Sequence, residues 1–262
     1  MSERIPWGSE LVEEEAGDIT RLCFEDDRWS FGAPNFYIAR GNGGIALIDS
    51  GQGIEPEIEL FNKTWTQMGQ PTVDVVILTH HHFDHSGGAK EIHNLTGATV
   101  IGGGERRAAD DMVDVHGRKL RIIPTPGHTT DSLCVMDEST GTLFTGDTII
   151  EGMDSVVVTN MIDYVESLKK IEGLAPSRIL SGHGVPVGEP MQIIEKYIAN
   201  TQKREDHIVT FIGRGCDTAE LLFAKMYPHR PRSGMTQIIS HIEKLEHEGR
   251  VKQVDGRLAL SV

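Results

Sequence analysis

The 262-residue chain has little cysteine, few aromatics and no long apolar run. Its three cysteines, Cys23, Cys134 and Cys216, include no C-x-x-C pair. That pattern excludes a disulfide framework and a thiolate zinc site, and leaves the three as small buried hydrophobes. Aromatic residues make up 6% of the chain and no basic run is present, so a groove that stacks single-stranded bases has little to be built from. No stretch approaches the roughly 20 apolar residues of a membrane span. Met1 to Glu15 is acidic rather than basic and then apolar, so no secretory signal is read there. The expectation is a cytoplasmic protein with no membrane partner. Net charge is -14; residues 201 to 262 hold ten Lys and Arg against eight Asp and Glu, which leaves 15 minus 31, or -16, on residues 1 to 200. Such a body disfavours phosphate-driven binding of nucleic acid. A 38% hydrophobic content is enough for a proper core, and the length allows one large domain or one domain plus a small appendage.

Histidine is what the chain does have. In VDVVILTHHHFDHSGG, residues 73 to 88, Val73, Val75, Val76, Ile77 and Leu78 predict a buried strand, and His80, His81, His82 and His85 follow within six residues. Each imidazole brings two polar nitrogens that need partners when buried, so the run does not read as packing. It reads as a metal site. His80 and His82 alternate onto one face at the strand end, while Asp84 and His85 lie past the turn and face a second position. His81 alternates to the other face and is expected either to be a structural or surface residue or to support the others.

The same device recurs along the chain. Phe36 to Ala39 and Ile45 to Ile48 predict a hairpin whose second strand ends at Asp49, either a plain turn former or an acceptor that fixes a ligating imidazole. Ile54 to Met68 predicts a helix, Ala89 to Leu95 a shorter one, and Thr99 to Ile101 a strand. Leu120 to Ile123 leads into Pro124-Thr125-Pro126-Gly127-His128; Ser132 to Met136 pairs with Thr142 to Thr145, which ends at Gly146-Asp147; Arg178 to Leu180 ends at Ser181-Gly182-His183-Gly184. Residues 102 to 118 are expected to run over the site, and residues 150 to 160 to form another of its walls.

Collected, the strand ends supply His80, His82 and His128 for one ion, Asp84, His85 and His183 for another, and Asp147 between them. Nitrogen and oxygen donors of this kind suit two divalent ions such as Zn(II), with Mn(II) or Fe(II) as alternatives. His93, His116, His207, His229, His241 and His247 are left as surface or packing residues. Ser50 and Ser181 read as turn residues, not nucleophiles.

His80-x-His82-x-Asp84-His85, Gly127-His128, Gly146-Asp147 and Gly182-His183-Gly184, in that order after Asp49, resemble the motif set of the metallo-β-lactamase-fold hydrolases. The resemblance implies an α/β fold, a four-layer αββα sandwich of two mixed sheets with a dinuclear site at one edge, and carries over the same ligands with Asp147 bridging. An intact Asp84-His85 and a histidine at position 128 look more like the glyoxalase II and ribonuclease branches than the true β-lactamases. Ile162-Asp163-Tyr164, a helix from about Met191 to Ile212 and the C-terminal unit are similar to the β-lactamase-like-protein-2 group. In that unit Asp217 is expected to cap a helix running to Tyr227. Met235, Ile238, Ile242 and Leu245 stripe a second helix stopped at Gly249, and Arg250 to Val262 form a hairpin about Asp255-Gly256, together a small winged helix. The expected boundary divides a catalytic domain, 1 to 200, from this unit, 201 to 262.

The expected activity is hydrolysis of an ester-like bond in a thioester, lactone or related small acyl substrate, by hydroxide shared between two cations about 3.5 to 4 Å apart. Asp84 would orient the nucleophile as well as ligate, and Tyr164 is a candidate substrate contact. A second reading, implied by the resemblance, is cleavage of single-stranded RNA. A third, from another class, is a winged-helix DNA-binding regulator, against which stand Glu243, Glu246 and Glu248 on the helix that would read DNA. The C-terminal unit is otherwise expected to wall the site or to join a homodimer.

Overall fold

The apolar run at 73 to 78 forms the strand Thr72–Leu78, with both of its faces buried, which explains why it reads as continuous rather than alternating. A computed structural model of the chain describes residues 8–25, 32–104, 111–227 and 234–261. Around that strand, β5, lie β1 (Glu10–Glu15), β2 (Ile19–Phe24), β3 (Asn35–Arg40), β4 (Gly44–Ile48) and β6 (Thr99–Gly102), in one six-stranded sheet that follows chain order. A second sheet of five runs β11 (Arg178–Ser181), β10 (Thr142–Gly146), β9 (Leu133–Asp137), β8 (Arg118–Pro124) and β7 (Met112–Val115). Both are mixed: β4, β5 and β6 are parallel, as are β10 and β11, and the remaining pairs are antiparallel.

Period-two alternation deals the side chains into three layers of core. Tyr37, Ala39, Ala46, Ile48 and Ile77 meet Leu120, Ile122, Leu133, Val135, Phe144 and Leu180 between the sheets. Phe36, Ile38, Ile45, Leu47, Val76 and Leu78 face outward onto Leu60 and Phe61 of α1 (Glu55–Gln67) and Ile92 of α3 (Ala89–Thr96). Cys134, Met136, Leu143 and Ile179 face outward onto α4 (Met161–Leu174) and α5 (Pro190–Gly213). The result is a four-layer αββα sandwich. A register shift between Ile45 and Ala46, opposite Val73 and Val75, swings the rest of β5 to the opposite phase; Asp74 is the extra residue.

One difference from the sequence reading concerns the walls. Residues 105 to 110 lie outside the described residues. Residues 112 to 115 are not a loop over the site but β7, the edge of the second sheet, with Val115 buried. His116, just after it, lies 3.2 Å from Asp74 at the start of β5, the end of the strand away from the histidine run. Glycine and charge around it obscured a short alternating strand.

In the C-terminal part, α5 is continuous through residue 200, so that helix gives Ile193, Ile194 and Tyr197 to one core and Ile208 and Ile212 to another. The second core joins Leu222 of α6 (Ala219–Met226), Ile238, Ile242 and Leu245 of α7 (Met235–His247), Val251 of β12 (Val251–Val254) and Leu258 of β13 (Arg257–Leu260). The cap of α6 is Thr218, whose hydroxyl accepts from Leu221 N, and not Asp217, which pairs with Arg257. Asp255 (φ 50°) and Gly256 (φ 74°) turn the hairpin, the left-handed pair that a two-residue loop requires. Among the described residues, no helix is long and apolar enough to cross a membrane.

Candidate metal centre

Strands β4, β5, β10 and β11 all release their chains at one edge of the sandwich, and the loop after β8 returns there. Thr79 to His82 bend away from β5, and the four-residue helix α2 (Phe83–Ser86) presents Asp84 and His85. His82 Nδ1 lies 3.0 Å from His80 Nε2 and 3.0 Å from His128 Nε2. His183 Nε2 lies 3.3 Å from His85 Nε2 and 3.2 Å from Asp84 Oδ2. Asp147 stands between the two groups. Its Oδ1 is 3.4 Å from His85 Nε2 and 3.6 Å from His183 Nε2, and its Oδ2 is 3.8 Å from His128 Nε2. The structure therefore brings together all seven side chains that the strand ends nominated. Room for them depends on glycine: a Cβ at Gly182 would come 2.5 Å from Asp147 Oδ1, and one at Gly127 would come 2.5 Å from Tyr164 Cα.

The outer partners of the rings decide which nitrogens face inward. A carbonyl can only accept, so His128 Nδ1 donates to Val157 O (2.7 Å) and His183 Nδ1 to Gly32 O (2.9 Å). His85 Nδ1 donates to Asp49 Oδ2 (2.9 Å), and His80 Nδ1 to Thr79 Oγ1 (3.1 Å), whose own hydrogen goes to Asp49 Oδ2 (2.9 Å). In the neutral rings Nε2 then carries a lone pair, and four such lone pairs converge on a buried space. The His85 and His183 Nε2 atoms, 3.3 Å apart, have no proton to share when both rings are neutral. A cation bound there would relieve that repulsion, and the donor set of five imidazoles and two carboxylates fits borderline divalent ions.

Charge follows the same logic. Burial, aided by the neighbouring His85, pushes the His80 imidazole well below its ordinary pKa, and burial and His128 lower that of His82; both are neutral at pH 7, the state in which an imidazole can ligate. Burial opposes the Asp147 charge, but His85 and His183 outweigh it and hold the carboxyl well below the usual range. Burial likewise opposes charge on His85, and Asp147 and Asp49 overcome it, raising that imidazole well above its ordinary value.

Asp49 takes neither role alone. It sits at a turn with φ 61°, which aspartate tolerates, and its carboxylate accepts from Thr79 N (2.7 Å), Thr79 Oγ1 and His85 Nδ1. His81 is half exposed, and its Nδ1 lies 2.6 Å from Asp131 Oδ1. Asp131, Val157 O and Gly32 O were absent from the sequence reading. Asp131 follows His128 by three residues and carried a weak signal, whereas a backbone carbonyl carries none. Tyr164 is a correction: it is 1% exposed in the core under α4, its hydroxyl donates to Thr148 O at 2.8 Å, and burial holds the phenol well above its ordinary pKa. It has no face to offer a substrate. Of the histidines set aside, His93 donates to Ala98 O and His241 is fully buried beside Glu205; His229 lies outside the described residues.

The sequence pattern of the metallo-beta-lactamase superfamily matches residues 29–112 and 107–183. The chain belongs to that superfamily. It is accordingly a member of a hydrolase family. It is 29% identical over 246 residues to the beta-lactamase-like protein 2 homolog of Drosophila melanogaster, covering 83% of this chain and 84% of the relative. It is 31% identical over 185 residues to an atrochrysone carboxyl ACP thioesterase of Aspergillus fumigatus, covering 67% of this chain but 58% of the thioesterase. Its fold is similar to that of a beta-lactamase domain protein from Burkholderia ambifaria, with TM-score 0.83, 19% identity, and coverage of 99% of this chain and 96% of that one. Within this superfamily member, the His and Asp clusters are able to bind metal.

Proposed function

We propose that this superfamily member is a thioesterase-like hydrolase of small acyl substrates that works with two divalent cations. His80, His82 and His128 would hold one, Asp84, His85 and His183 the other, with Asp147 shared, and zinc suits the donors best. The observation that carries the reading is the convergence of the inward-facing Nε2 atoms of His80, His85, His128 and His183, with His82 Nδ1, around the buried Asp147 carboxylate. Cations bound there would supply hydroxide near pH 7 and draw charge from the substrate carbonyl.

The protein's own groups set up that chemistry. Asp49 and the Val157 and Gly32 carbonyls fix which imidazole nitrogen faces inward. Asp84 is only partly buried; burial would raise its pKa, but the His183 hydrogen bond and the His85 charge keep it lowered, so the carboxylate is ionised and can orient a nucleophile. His80, His85 and His183 are at most 1% exposed, while His82 and Asp84 are only partly buried, so substrate approaches from their side, beside the exposed Phe83. Two curated relatives, in Aspergillus fumigatus and Emericella nidulans, are named thioesterases, which favours a thioester over other acyl esters. The C-terminal helices and hairpin are read as a winged helix that walls the site.

Zinc-loaded protein assayed on a panel of acyl thioesters and on labelled single-stranded RNA, with and without chelator, tests the reading. Chelator-sensitive thioester hydrolysis supports it. Cleavage of RNA alone, or thioester hydrolysis indifferent to chelator, would replace it.

A further inference from the structure

The segment from 151 to 160 lies between the metal centre and the C-terminal helices, and it contains neither helix nor strand. No ladder places its carbonyls, yet one of them, Val157 O, orients the His128 ring at 2.7 Å. Its position must be imposed from outside. At one end Tyr197 Oη donates to Ile150 O (2.9 Å) and accepts from Ile150 N (3.1 Å). Asn200 Nδ2 and Arg204 donate to Asp154 O at 3.2 and 3.3 Å. At the other end Thr159 N donates to Gly127 O at 2.8 Å. Between them, among the described residues, one hydrogen bond besides that of His128 reaches the segment from another element: Gln237 Nε2, on the first turn of α7, donates to Val156 O at 3.2 Å.

Gln237 and Val156 are both 4% exposed, so water does not replace this bond. The peptide joining Val156 to Val157 is planar, and fixing its oxygen fixes the plane from which the Val157 carbonyl departs. Val157 itself is 53% exposed and has little packing of its own to hold it. We propose that Gln237 is a positioning residue for the metal centre, acting through the Val156–Val157 backbone to keep His128 Nε2 aimed at the ion shared with His80 and His82. The C-terminal unit thereby sets the affinity of one of the two ion positions and leaves the other alone. This rests on the metal reading above.

Zinc affinity, measured by competition with a chromophoric chelator, tests it without reference to turnover. In a His183→Ala background, where the three-histidine group remains, Gln237→Met should weaken zinc binding about tenfold, the low end of what losing an outer partner of a ligand costs. In a His128→Ala background the same substitution should change nothing. Gln237→Asn, whose amide ends one methylene short, carries the test if the methionine variant does not fold. Ile238→Val, a neighbouring core change on α7, serves as the measure of generic destabilisation and should leave both affinities as they were. Equal zinc affinity with and without Gln237, or equal loss in Ile238→Val, overturns the inference. A parent protein that takes up no zinc overturns the metal reading beneath it, a distinguishable result.

Discussion

His85 Nδ1 lies 2.9 Å from Asp49 Oδ2, with both side chains buried, and the same carboxylate holds Thr79 by backbone and hydroxyl. One aspartate thus sets the tautomer of one ring directly and reaches His80 through Thr79. Asp49→Asn tests this, because asparagine also tolerates the φ of 61° at that turn. The variant should fold, with zinc affinity down about 10- to 100-fold by chelator competition. Unchanged affinity would show that the Asp49 pair is only structural.

The two ion positions should be separable. His128→Ala and His183→Ala should each reduce zinc content from two to one equivalent per chain, read by elemental analysis after gel filtration. Loss of both ions in each variant would mean that Asp147 couples the groups too tightly to treat as two.

Much of this arrangement was legible in the sequence because its chemistry is local: a histidine or aspartate flanked by glycine at the end of an apolar run is both a strand terminator and a candidate ligand. The layers were harder, since Glu10–Glu15 is a strand with four glutamates and Met112–Val115 hides between charged turns. Tyr164 misled because a phenol in the Ile162-Asp163-Tyr164 stretch offers a polar hydroxyl on paper, and only burial reveals that its hydroxyl faces Thr148 O. Thr218 and Asp217 are adjacent cap formers, and the claim of Arg257 on Asp217 decided between them. The Val157 and Gly32 carbonyls have no side-chain signature at all.

Tyr164→Phe checks the corrected placement. It should cost about 0.5–1.5 kcal/mol in urea unfolding, the worth of one neutral hydrogen bond, and leave kcat and KM within twofold. A large fall in kcat with stability unchanged would return Tyr164 to the site.

Glu205 gives the C-terminal unit a pH dependence. It is 1% exposed, 3.0 Å from Lys244 Nζ and 3.6 Å from both His241 Nδ1 and Arg250. Burial opposes its charge, but the adjacent His241 ring and the hydrogen-bonded Lys244 ammonium outweigh it and lower its pKa below the ordinary 4.5. A carboxylate with a depressed folded pKa adds stability that is fully present above its unfolded pKa and lost as pH falls through the folded one. Glu205→Gln should therefore be less stable than the parent at pH 7, by up to about 3–5 kcal/mol, with the gap narrowing as pH falls below 4.5. A gap independent of pH would contradict the assignment.

Anomalous diffraction from zinc-loaded crystals, collected on both sides of the zinc edge, tests the central claim most directly. Two peaks are predicted, one among His80, His82 and His128 and one among Asp84, His85 and His183, with Asp147 touching both. An anomalous map with no peak among these side chains would contradict the account.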